Sequence, residues 1–67
     1  MNIEQIFKDA LQELDELIIK HREKMIHAEL KHGKESEQYL QHRDLIRGFN
    51  LRLRQTKYLA QKFGIFF

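Results

Sequence analysis

One break governs what this 67-residue chain can fold into: Lys31-His32-Gly33-Lys34, standing between two long stretches with helical apolar spacing. Glycine is the usual residue just past a helix end, where the left-handed backbone is costly for other residues. Lys31 and His32 place positive charge beside the last carbonyls of the preceding helix, as its dipole favours. Ser36 can cap a new helix, with Glu37 in its first turn. Residues 33–36 therefore predict a tight connection, and so short a connection makes the two helices antiparallel neighbours.

The first helix is predicted from about residue 3 to 32. Asn2 caps it, and Gln5, three residues on, completes a capping box by reaching back to the Asn2 backbone. Phe7, Leu11, Leu14, Ile18, His21, Met25, Ala28 and His32 then recur at spacings of four and three, a coiled-coil-like seam. The second helix is predicted over about 37–63, with Tyr39, His42, Ile46, Phe49, Leu53, Thr56, Ala60, Phe63 and Phe67 in the same rhythm. Gly48 interrupts it, costing about 1 kcal/mol against alanine or marking a close helix contact.

Folding at Gly33 brings together seam residues whose numbers add to about 67, so Ile18 meets Phe49, His21 lies near Ile46, and Met25 near His42. Phe7 opposes Ala60, large against small, as a packed core needs. Each helix also carries apolar residues beside its seam; Ile19 and Ile26 lie on the far flank of the first helix, while in an antiparallel pair the widened flanks of the two helices share an edge. Ile3, Ala10 and Leu17 from the first helix join Leu45, Leu59 and Phe66 from the second. A lone hairpin leaves that edge wet, and a chain of this length rarely buries a self-sufficient core. The simplest cover is a second copy, giving a two-fold dimer and a four-helix bundle.

Composition bounds the rest. There is no Pro and no Cys, hence no disulfide framework and no zinc-finger pattern. The formal charge is +2, but the halves differ: residues 1–34 carry −1 and residues 35–67 carry +3. No stretch approaches the roughly 18 consecutive apolar residues of a membrane span, and Glu4 with no apolar run behind it argues against a secretory signal. The expectation is a single cytoplasmic domain over 1–67 that does not enter a membrane.

The flank opposite the apolar edge is basic. Arg43, Arg47, Asn50, Arg54 and Lys57 recur at fours and threes, a ridge able to meet an acidic protein or track phosphates. Its bland reading is a solvated face partly neutralised by Asp9, Glu13 and Asp15. Nothing resembles a short recognition helix after a turn, and the aromatics sit in the seam rather than where bases could stack on them.

Four histidines raise the question of a metal, but His27 points away from the seam, and the chain is read as holding neither a His-Glu-x-x-His nor a Glu-x-x-His motif. His21 and His42 read instead as partly buried, satisfied side chains; if they are buried neutral, acid should loosen the pair of helices. No cofactor is expected. Catalysis has little to work with: no Cys, a single Ser placed as a cap, and a single Thr in the apolar seam. Asp44 adjoins His42 and Arg43, yet helix neighbours one and two apart do not face each other.

Two resemblances can be named on their residues. Arg22, Met25, Ile26, Ala28 and Gly33 resemble the first helix and turn of the small aspartyl-phosphate phosphatases that act on sporulation phosphorelays, which are also helical hairpins. That family carries Ser-Gln-Glu-Leu-Asp on its second helix. Aligned on Gly33, this chain has Arg43-Asp44-Leu45-Ile46-Arg47, with Arg47 in place of the functional aspartate, so the resemblance carries no site across. The tail, with Gln61 ahead of Phe66-Phe67, resembles the glutamine-plus-aromatic peptides that bind sliding clamps. Gly64 stands where those peptides place an aliphatic anchor, and closure of the bundle end by these aromatics is the favoured alternative.

The sequence thus predicts an all-α helical hairpin, a homodimer through Ile3, Leu17, Leu45, Leu59 and Phe66. As function it suggests a non-enzymatic interaction protein, a regulator or inhibitor that binds a partner by an apolar or basic helix face. The alternative is a nucleic-acid-associated protein using Arg43, Arg47, Arg54 and Lys57.

Overall fold

The computed structural model describes residues 2–67. It is all-helical: α1 (Ile3–His32) and α2 (Glu37–Lys62) pack against each other as a hairpin. The hairpin measures 45 × 16 × 15 Å, so its length is that of α1 at about 1.5 Å per residue.

Both helix starts follow from their caps. Asn2 Oδ1 accepts from the Glu4 and Gln5 amides at 3.0 and 3.4 Å. The capping box stops there: Gln5 Nε2 donates to Asp9 Oδ1 at 2.8 Å, one turn forward, rather than back to Asn2. Ser36 works in both directions. Its Oγ accepts from the Tyr39 amide at 3.2 Å and donates to the Gly33 carbonyl at 2.8 Å, fastening the cap of α2 to the end of α1.

The turn differs from expectation in one respect. Gly33 has φ +89° but ψ 168°, outside the left-handed helical well and in a region that is essentially glycine's alone. The pattern of a helix wound shut past a glycine is found at the other end of the hairpin. There Ile65 N–H donates to the Ala60 carbonyl at 3.0 Å and Gly64 N–H to the Gln61 carbonyl at 2.9 Å, around Gly64 at φ +76°.

The core is a single seam. Leu11, Ile18, Ala28, Ile46 and Ala60 are buried, and Ala60 is fully covered. Leu14, Met25, Phe49 and Leu53 are only half-buried, because two helices can shade a seam from one side but cannot enclose it. Among the described residues no large side chain is completely buried. The predicted pairing holds within a turn: His21 touches both His42 and Phe49, the residues on either side of its expected neighbour Ile46. Phe7 meets Phe63 with ring centroids 5.9 Å apart, next to the covered Ala60, so the aromatic end of α2 closes the hairpin in part. His32, assigned to the seam by spacing, is exposed at the helix end.

Candidate functional site

Three features stand out: the apolar edge, the basic ridge and a histidine pair. On the edge, Leu17 is 36 % exposed, Leu45 43 %, Ile3 48 % and Leu59 49 %. Their helical positions put their backbones beside the seam, so each side chain is half shaded by the other helix and half wet. Phe66 is 75 % exposed. It lies beyond the end of α2 and past Gly64, so helical spacing no longer sets its direction. Gly48 faces open space, with nothing within 4 Å of where a Cβ would stand. Its place in mid-helix is therefore not explained by any close contact within the chain.

The ridge divides. Asn50, Arg54 and Lys57 line one shallow depression with Leu53, so the two cations share a surface with the Asn50 amide. Arg47 is exposed. Arg43 is drawn inward: it is half-buried, its Nε is covered without a hydrogen-bond partner, and its Nη2 reaches Asp44 Oδ1 at 3.5 Å. That contact corrects the sequence expectation that Arg43 and Asp44 ignore each other, since a long guanidinium can bend back to an adjacent carboxylate. Asp44 is largely solvent-exposed and the distance is long, so the pair contributes little to stability.

The histidine pair gives the sharpest geometry. His21 Nδ1 and His42 Nδ1 are 3.0 Å apart, and the ring centroids 5.2 Å. The two separations differ by about two ring radii, so the nitrogens point at each other rather than converging on a third point. This is the arrangement of a hydrogen bond, with one ring donating through Nδ1–H and the other accepting. Among the described residues no three His, Asp or Glu side chains gather as metal ligands. Glu29 and His32 have the Glu-x-x-His spacing of bundle metal sites, which the reading of the sequence passed over. The Glu29 carboxylate instead pairs with Lys34 at 3.7 Å, and His32 is exposed.

The ring of His21 is held below the ordinary imidazole pKa of 6.5, chiefly by burial between the helices, then by His42, and then by Lys24 and Lys20 on its own helix. The unfolded chain therefore binds this proton more readily than the folded one. The stability this ring contributes is present well above pH 6.5 and is lost as pH falls through that value towards the lower folded pKa. One added proton can go to the free Nε2 of the donating ring and leave the Nδ1–H···Nδ1 bond intact, but a second, on the accepting Nδ1, sets two N–H groups opposed across 3.0 Å. Thermal melts should accordingly give a lower Tm at pH 5.5 than at pH 7.5, with a smaller difference in His21→Leu. Equal Tm values at the two pH values would show that the pair does not couple protonation to folding.

No helix among the described residues is long and apolar enough to cross a membrane. No protein-family model matches the chain, and no characterised protein or solved structure is significantly similar to it.

Proposed function

We propose that this chain is a non-enzymatic interaction protein. A second copy covers the edge of Ile3, Leu17, Leu45, Leu59 and Phe66 to make a four-helix bundle, and the basic ridge of α2 is left to engage an acidic surface on a partner protein. The chain then acts as a regulator or inhibitor, by occupying that surface rather than by turnover. One observation carries the reading: the two helices shade their seam without enclosing it, and large apolar side chains beside it, Leu17, Leu45, Ile3 and Leu59 among them, remain about half exposed. Apolar surface in a continuous strip favours association. The dimensions support it too, since a face 45 Å long and 16 Å wide is on the scale of the roughly 800 Å² per partner of a standard interface.

Sedimentation equilibrium over a range of concentrations, at low and high salt, tests the first half. The expected species has twice the chain mass of 8.2 kDa and persists at high salt, because its contact is apolar. A folded monomer at every concentration would remove the second copy from the proposal.

The cluster of Asn50, Arg54 and Lys57 around one depression favours a second reading, in which the ridge binds phosphates of a nucleic acid. The two readings diverge in what the ridge retains. Nucleic-acid binding weakens steeply with salt in proportion to the phosphates contacted, and independently of sequence where only phosphates are touched.

A further inference from the structure

The apolar edge leaves open how two copies stand against each other, and the charges decide it. From Gly48 onward the chain carries Arg52, Arg54, Lys57 and Lys62 and no acid. The part of α1 alongside, Ile3 to Ile19, carries Glu4, Asp9, Glu13, Asp15 and Glu16 against the single cation Lys8. Among the described residues no ion pair joins the two helices: the three that form are Glu4–Lys8, Glu29–Lys34 and Arg43–Asp44. The open end of the hairpin is thus acidic on one helix and basic on the other, with the opposite charges unpaired within the chain.

A second copy can set α1 against α1 and α2 against α2, which a two-fold axis makes antiparallel, so that the cations of α2 face a first half of α2 holding only Glu37 and Asp44 against Arg43 and Arg47, or α1 against α2, which neutralises both helices. We infer that each α1 packs against the α2 of the other copy, about a two-fold axis parallel to the helices. This inference rests on the dimer proposed above.

Such an axis leaves every residue at its own height, so the levels that pair within one hairpin also pair between copies. His21 beside His42 and Phe49 fixes those levels. At the height of Arg52 stand Glu13 and Glu16 of the other copy, which with Leu17 and Lys20 line a shallow depression on α1. An arginine fits such a place: its stem lies on Leu17 while its guanidinium meets the carboxylates. Lys20 falls opposite Gly48, where the absence of a side chain leaves room for its stem and for close approach of the helices.

Charge reversal tests the arrangement. The dimer dissociation constant is measured at low ionic strength by sedimentation equilibrium for the natural chain, Glu13→Arg/Glu16→Arg, Arg52→Glu, and the chain carrying all three changes. Circular dichroism reports helix content in each. Each contact occurs twice by symmetry, so the double variant and Arg52→Glu should each weaken the dimer about tenfold, and the triple variant should recover most of that loss. Reversals without effect, or a triple variant no tighter than its parents, overturn the arrangement while leaving the dimer standing. A natural chain that never dimerises overturns the dimer itself.

Discussion

Ile18→Ala should unfold most of the protein at 25 °C. Ile18 lies mid-way along α1 and is only 7 % exposed, making it one of the few large side chains this seam covers well. Removing three carbons from such a position costs about 2–5 kcal/mol, part in lost transfer energy and part in the cavity left behind. A core in a domain this small supplies only about 3–5 kcal/mol of net stability, so the loss is comparable to the whole. Urea titration followed by helical circular dichroism measures it, with all variants at one protein concentration because an associating chain gains stability with concentration. Leu14→Ala and Phe49→Ala should cost less, since both side chains are already partly wet. A loss below about 1 kcal/mol for Ile18→Ala would mean that the buried face is not the one described.

Leu59→Glu should abolish the dimer. In the isolated hairpin Leu59 is 49 % exposed, and a carboxylate there can reach water with little effect on the folded chain. In the bundle the same carboxylate is buried twice, once per copy, without a partner of opposite charge in the apolar strip. The expected result in sedimentation is a species of 8.2 kDa with reduced helix content, because the hairpin loses the contacts that complete its core. An unchanged dimer would place the contact between copies on another face.

The fold was legible because its signals are local and agree. The break at Gly33, the Ser36 cap and two seams of threes and fours place α1 and α2 to within a residue of where they lie. The misses come where side chains choose among partners that spacing does not rank. Gln5 could bond backward to Asn2 or forward to Asp9, and the forward carboxylate is the stronger acceptor. Gly33 was read as an ordinary left-handed cap, whereas Ser36, by bonding to its carbonyl, accompanies a more extended ψ. Spacing placed His21 and His42 about one turn apart on facing seams, but not their ring orientations, which depend on packing around both rings.

The ridge was legible as a face and not as a surface. Arg54 and Lys57 share a depression with Asn50, as four-and-three spacing implies. Arg43 occupies a position one step closer to the seam and is half-buried, with its Nε covered. The unpaired charge of the open end required both helices at once, because a composition by halves hides that the acids of α1 lie alongside the cations of α2.

Repetitive apolar seams carry a liability, since a helix shifted by seven residues presents nearly the same pattern to its neighbour. The His21–His42 bond breaks that degeneracy. Slipping one helix by a heptad puts Phe49 or Glu35 in the place of His42 opposite His21, and leaves each imidazole without its nitrogen partner. One polar contact in an apolar seam thus fixes the register of the hairpin, as a buried asparagine does in a coiled coil.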